Sequence, residues 1–386
     1  MRLQIVYHYQ GTGQAGALKC ALEGEKGVKV AGFIERDSTE AILVSQWSQI
    51  LGETPSDLDA DFFYAGGDSL TAVELAVRVG KSFGREIPLD VIFEKPTIRG
   101  ISDWLKGENE YQPKRIIQFR EFESGTPFIL FPGAGGTLAG LGGMSSRTFR
   151  RPTYIIQSKG LLAGESPFTS MDHIVDDAVS AIEETFSLGP IHLGGFCVGG
   201  IVAYAVTDRL LSKGWHPYGT VIVNSALNMP HRSVEQYAQE RLHGLSERAG
   251  LTFPSNLVIS VERVYEHLIS ADIDIAERSK AAFRKRLEVF ASNLHAISAY
   301  RPPALDIPVT LLSTEDRNAN DDLSSMTDAG TYPDWTDLGI PNLRIINITS
   351  PHEQIFQNKD AITKIEESLQ AHESMSQAEP RDEMTR

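Results

Sequence analysis

Apolar positions at Ile42, Leu43, Trp47, Ile50 and Leu51 recur at helical spacing, and a loop at residues 59–63 separates them from a second amphipathic stretch running from about Ser69 to Phe83. After Pro88, short helical patterns near 89–93 and 98–105 complete an all-α four-helix bundle. Its roughly 70 to 80 residues suffice to fold alone. A polar stretch around Pro113 then marks a linker, assigned to 108–124. Beyond it the rhythm changes. Short apolar runs at 128–131, 154–157, 191–194, 221–223, 309–312 and 343–348 read as strands, with helical patterns at 172–186 and 198–213 between them. Such alternation predicts a doubly wound, mostly parallel sheet over 125–370. Residues 228–301 read as helices without a strand, an insertion of the kind that forms a lid over an active site. Residues 1–36 show a short apolar patch and a Gly-rich stretch but no assignable pattern, and the polar, acidic tail 371–386 is expected to be disordered.

A length of 386 residues with 41% hydrophobic content suits this division into a small bundle (37–107) and a larger domain. The net charge of −15 opposes binding to nucleic acid or to an anionic membrane surface. Cys20 and Cys197 sit in unrelated contexts, so a disulfide framework is not expected and a thiol is left for chemistry. The opening MRLQIVYHYQ lacks the pattern of a signal peptide and no window has the length of a membrane span, which leads to the expectation of a cytoplasmic protein. No metal is expected.

In the bundle, Asp61-Phe62-Phe63-Tyr64-Ala65-Gly66-Gly67-Asp68-Ser69-Leu70 places a serine at the first turn of a helix behind two glycines. Free N–H groups and the positive dipole end make that turn a seat for a phosphodiester. The segment resembles the acyl and peptidyl carrier proteins of nonribosomal peptide and polyketide synthases, whose Gly-Gly-Asp-Ser-Leu motif it matches; Phe62, Phe63 and Ile92-Phe93-Glu94-Lys95-Pro96-Thr97 also fall where that family has them. The resemblance spans about 38–106 and implies a 4′-phosphopantetheine arm covalently attached to Ser69, installed by a phosphopantetheinyl transferase.

In the larger domain, Ile191-His192-Leu193-Gly194 runs into Gly195-Phe196-Cys197-Val198-Gly199-Gly200, a strand-to-helix elbow with sulfur where a G-x-S-x-G motif has oxygen. A helix N-terminus stabilises a thiolate there. Phe131-Pro132-Gly133-Ala134-Gly135-Gly136 suits an oxyanion hole in which the N–H of Ala134 joins that of Val198. His352, in Ser350-Pro351-His352-Glu353 after the last strand, lies where a base must sit to reach the elbow. Residues 125–370 resemble the type I α/β-hydrolase thioesterases that terminate such synthases, here with a cysteine nucleophile. That resemblance makes Cys197 the nucleophile and His352 the general base. The family's usual acid position holds Asn224, whose neutral amide suffices to orient an imidazole beside a thiolate. Asp316, after the next strand, is the alternative acid.

The sequence thus points to a four-helix carrier bundle followed by an α/β-hydrolase domain with a helical lid. Its expected function is that of a terminal carrier–thioesterase didomain, in which an acyl or peptidyl chain on the Ser69 arm passes to Cys197. Release then follows by cyclisation, condensation or hydrolysis. Upstream adenylation and condensation modules, or ketosynthase modules, would supply the chain. The alternatives are an editing, type II-like thioesterase and a noncatalytic carrier or docking platform.

Overall fold

The computed structural model describes residues 6–10, 17–21, 38–67, 69–85, 87–107, 114–120, 124–137, 149–161, 164–227, 230–248, 250–251, 253–254, 257–270, 280–314 and 334–378. The chain divides into two compact units, one of residues 1–67 and 71–111 and the other of 68–70 and 112–386.

Strands β1 (Val6–Gln10) and β2 (Ala17–Ala21) pair antiparallel within the N-terminal segment, for which the sequence offers no pattern. The bundle follows as α1 (Ser38–Leu51), α2 (Ser69–Phe83), α3 (Leu89–Glu94) and α4 (Ile98–Lys106). Its core is aromatic: Trp47 meets Phe62 edge-on at 4.9 Å, and Phe63 stacks on Phe93 at 4.7 Å. The loop before α2 is pinned across the bundle, since Asp61 bridges Thr97 and Phe62 N–H donates to Pro96 O at 2.7 Å. Thr97 in turn caps α4, its hydroxyl accepting from Gly100 N–H. The Pro-Thr pair downstream therefore serves two elements.

The larger unit opens with β3 (Ile116–Arg120), which lies inside the stretch expected to be linker. It continues through β4 (Phe128–Phe131), β5 (Thr153–Ile156), α5 (Met171–Thr185), β6 (Pro190–Phe196), α6 (Val198–Ser212) and β7 (His216–Val223). Among the described residues, α7 (Val234–Arg248), α8 (Val261–Ser270) and α9 (Lys280–Ser298) belong to the insertion before β8 (Val309–Thr314), β9 (Leu343–Ile348) and α10 (Lys359–Ala378). Among the described residues the sheet has seven strands in the order β3-β5-β4-β6-β7-β8-β9; β3 is antiparallel to β5 and the other pairs are parallel. This is the expected doubly wound sheet with a helical insertion. Every residue of β4 and β8 is buried, as strands covered on both faces require. Side chains alternate along β6: Gly195 abuts the first turn of α6, whereas His192 bonds Glu373 on α10, so these helices cover opposite faces. The insertion has a core of its own, with Leu242, Val264, Leu268 and Phe283 among its buried residues.

The C-terminal helix corrects the expectation of a disordered tail from residue 371, because it runs to Ala378 and buries polar side chains under the sheet. His372 Nε2 lies 2.9 Å from Thr310 Oγ1, and a Cβ at Gly219 would fall 2.4 Å from His372 Nδ1, so Gly219 makes room for the ring. Glu373 bonds His192 Nε2 at 2.8 Å and Arg151 at 2.8 Å. Burial pushes the His372 imidazole down to about 3, and the His192 hydrogen bond, with Arg151, holds the Glu373 carboxyl down at about 2. A base whose folded pKa is depressed stabilises the fold fully above its unfolded value, near 6.5, and progressively less below it; the depressed Glu373 adds to the loss only below about 4.5. Unfolding free energy is therefore expected to fall by about 2 kcal/mol from pH 7.5 to pH 5 through His372 alone. Denaturant titrations at the two pH values test this: His372→Gln should flatten that slope, and an unchanged slope would remove His372 as its source.

Candidate active site

Three close approaches build the elbow at the end of the central strand β6. A Cβ at Gly195 would sit 1.9 Å from Gly199 O, one at Gly199 would sit 2.2 Å from Phe131 O, and one at Gly200 would sit 2.8 Å from Ser225 Cβ. Only glycine lets α6 start this close to the sheet. Cys197 pays for the sharp turn in its own backbone, with φ 54° and ψ −129°, while its N–H donates to Val223 O at 2.9 Å. A non-glycine residue in that region is strained and is held there by its surroundings. The side chain is a thiol, the residue is 5% exposed, and it sits at the N-terminus of a 15-residue helix.

His352 opens a short 3-10 turn after β9. Its ring packs on Phe196, the residue preceding Cys197, with centroids 4.5 Å apart, so the imidazole lies beside the elbow. Asn224 follows β7 directly, in the left-handed region at φ 47°, which asparagine tolerates better than most residues. Its Nδ2 lies 2.5 Å from His352 Nδ1 and its Oδ1 accepts from the Thr314 hydroxyl at 3.1 Å. The structure thus brings Asn224 to the imidazole. The alternative acid, Asp316, lies outside the described residues.

The loop after β4 closes over the elbow, where a Cβ at Gly133 would lie 3.4 Å from Cys197 Cβ. Ala134 is buried in it, and Val198 begins α6 on the other side. Asn293, a buried residue of α9 to which the sequence does not point, donates from Nδ2 to Ala134 O at 2.8 Å and to Ser158 Oγ at 3.1 Å. A cavity adjoins this loop, with apolar walls from Phe131, Ile156, Phe168 and Val202 and with Gly133 and Val198 at its lining. Because Asn293 ties the loop to the insertion, Asn293→Ala is expected to lower kcat about tenfold through misplacement of a donor. KM should change much less. Steady-state turnover of an acyl thioester tests this, and unaltered kcat would leave Asn293 with a packing role only.

In the bundle, the turn before α2 needs both of its glycines. Gly66 has φ 107°, and a Cβ at Gly67 would lie 2.3 Å from the Phe62 ring. Ser69 begins the 15-residue α2, so the backbone there fits attachment of a phosphate-linked arm at a helix N-terminus.

Comparison with known proteins decides the family. The thioesterase domain family matches residues 126–370, and the family of the phosphopantetheine attachment site matches residues 41–105. The chain belongs to the thioesterase domain family. It is a carrier–thioesterase didomain with a serine-linked phosphopantetheine cofactor. Among similar proteins, indigoidine synthase of Streptomyces lavendulae is 29% identical over 181 residues, 46% of this chain and 14% of that protein. Atromentin synthetase invA1 of Paxillus involutus is 27% identical over 233 residues, 57% of this chain and 23% of that protein. The didomain thus spans less than a quarter of these relatives. A solved holo four-domain nonribosomal peptide synthetase, bound to AMP and glycine, shares the fold with a TM-score of 0.55 at 22% identity, covering 92% of this chain and 27% of that one.

One expectation is corrected by these matches. The thioesterase resemblance was to a cysteine-nucleophile kind, but the matching families establish a carrier joined to a thioesterase domain and distinguish no such kind. A match that spans 126–370 rests on the domain as a whole and does not by itself tell oxygen from sulfur at one position of the elbow. What Cys197 does therefore has to be argued from its own surroundings.

Proposed function

We propose that the thioesterase domain releases an acyl or peptidyl chain delivered on its own carrier, with Ser69 as the attachment serine. The phosphopantetheine arm, when bound, supplies the chain as a thioester on a flexible tether. The carriage of all three reactive groups on the ends of β6, β7 and the segment after β9 supports this reading most directly, because His352 is held between the elbow residue Phe196 and the Asn224 amide.

In this reading Cys197 attacks the thioester carbonyl after its proton passes to His352 Nε2. The N–H groups of Ala134 and Val198 face the oxygen as it gains charge, and Asn224 holds the ring. With a carrier-borne thiol as leaving group, His352 would return its proton to that sulfur as the tetrahedral species collapses. The chain is then a thioester of Cys197, still activated toward attack. His352 next removes a proton from the releasing nucleophile, whether water or a group within the chain, and the thiol is restored. The apolar cavity beside Gly133 and Val198 offers the chain a seat. Upstream modules that build the chain, and a transferase that loads Ser69, complete the proposed setting, which the nonribosomal peptide synthetase fold match and the synthase relatives favour.

The test is intact-protein and peptide mass spectrometry of the loaded didomain. Acyl mass should appear on Ser69 and, transiently, on Cys197, while Ser69→Ala should abolish both. Release without any Cys197 adduct, at a rate unchanged in Cys197→Ala, would leave the thioesterase acting by a different route.

A further inference from the structure

Asn224 has a partner beyond the imidazole. Thr314, the last residue of β8, is 3% exposed, and its hydroxyl meets Oδ1 of the amide whose Nδ2 faces His352 Nδ1. The place of the amide is set by backbone: Val223 pairs with Leu312 across β7 and β8, and Asn224 N–H donates to Leu312 O at 2.7 Å. What remains free is which way round the amide sits, since its two ends are nearly isosteric.

That choice decides the chemistry of His352. With Nδ2 toward Nδ1, the ring nitrogen is an acceptor, the imidazole proton lies on Nε2, and Nε2 has no lone pair with which to receive a thiol proton. With the amide reversed, Oδ1 accepts from a protonated Nδ1, and Nε2 becomes the base. An imidazolium permits only the reversed form, because both of its nitrogens carry protons. In the reversed form Nδ2 must find an acceptor at the far end. A hydroxyl donates to Oδ1 in one orientation and accepts from Nδ2 in the other; no apolar or purely donating side chain does both.

We propose that Thr314 is a positioning residue for the proton on His352, its hydroxyl making the reversed Asn224 amide accessible as the imidazole becomes charged. This rests on the reading of Cys197, His352 and Asn224 as the reacting set. The Asn224 amide meets the imidazole at Nδ1 while the Phe196 ring packs on it, so the polarity of the amide chain bears directly on its charge. Hydrogen bonds to charged groups exceed those between neutral ones, and each bond in a chain polarises the next. Loss of the hydroxyl therefore weakens the imidazolium state more than the neutral one.

The experiment is the pH dependence of iodoacetamide alkylation at Cys197, followed by peptide mass spectrometry in wild type, Thr314→Val, Thr314→Ser and Asn224→Ala. Thr314→Val keeps the shape and removes the hydroxyl. Its half-maximal pH should rise by about one unit, so that alkylation at pH 6 slows about tenfold while the high-pH plateau is unchanged. Thr314→Ser should restore the wild-type profile, and Thr314→Ala replaces the valine variant should that one fail to fold. A valine or alanine profile that superimposes on wild type while Asn224→Ala is shifted would overturn the role of Thr314 and leave the triad standing. If Asn224→Ala is unshifted as well, the triad reading itself fails.

Discussion

Cys197→Ala is expected to stop chain release while leaving the carrier fully loaded, with turnover down by on the order of a thousandfold or more. The side chain sits at a strained strand-to-helix corner, and the substitution removes only the sulfur, so the fold should persist. The acyl chain should then accumulate on Ser69, where it can be identified by mass. Two features make the effect large. In the proposed reading the N–H groups of Ala134 and Val198 serve a carbonyl bonded to residue 197, so water attacking from elsewhere would meet them in the wrong geometry. His352 is also held beside the elbow by Phe196, with Asn224 at its Nδ1. Loaded alanine variant that releases its chain at the wild-type rate would show that the thiol is a packed residue at a glycine-rich corner and nothing more.

The parts of this site legible in the sequence are those where backbone geometry leaves a glycine signature or chain order leaves a position. Gly195, Gly199 and Gly200 each avoid a clash that any side chain would create, and so the elbow announces itself. Gly66 and Gly67 do the same for the carrier turn. Asn224 and His352 were readable because they follow strands that the apolar runs at 221–223 and 343–348 reveal. Asn293 and Thr314 were not, because each is recruited to the site from far along the chain, 159 residues from Ala134 and 90 residues from Asn224, and neither leaves a local pattern. β3 escaped notice as a short strand pairing β5 antiparallel, in a stretch where charged residues dilute the apolar signal. The end of α10 escaped for the opposite reason: its residues look like a solvated tail, yet His372 hydrogen-bonds Thr310 and Glu373 bonds His192 and Arg151 under the sheet. Polarity alone does not separate a disordered segment from one that supplies buried hydrogen bonds.

The pairing of a thiol with a neutral amide yields a second large effect, seen only in combination. Cys197→Ser alone is expected to be nearly as damaging as alanine, because an alkoxide forms only when the imidazolium is strongly stabilised, and an amide at Nδ1 supplies no charge for that. Asn224→Asp supplies it. In the serine background the aspartate should therefore raise release about ten- to a hundredfold, whereas in the cysteine background it should gain little, the thiolate already being accessible. The carboxylate also raises the imidazole pKa, so the free base needed for deacylation is lost at a higher pH as the solution is acidified. The acid limb of the release profile should move upward in Asn224→Asp, and more than one pH unit of movement is within the range that an adjacent carboxylate produces. Aspartate is sterically close to asparagine and the residue stays in its left-handed turn after β7, so these effects read charge and not shape. The four rates form a cycle whose coupling term isolates the interaction between residues 197 and 224 through His352. Additive rates would place Asn224 outside the proton chemistry, whereas a coupling that favours serine with aspartate and cysteine with asparagine would show that the two positions act as matched halves of one device.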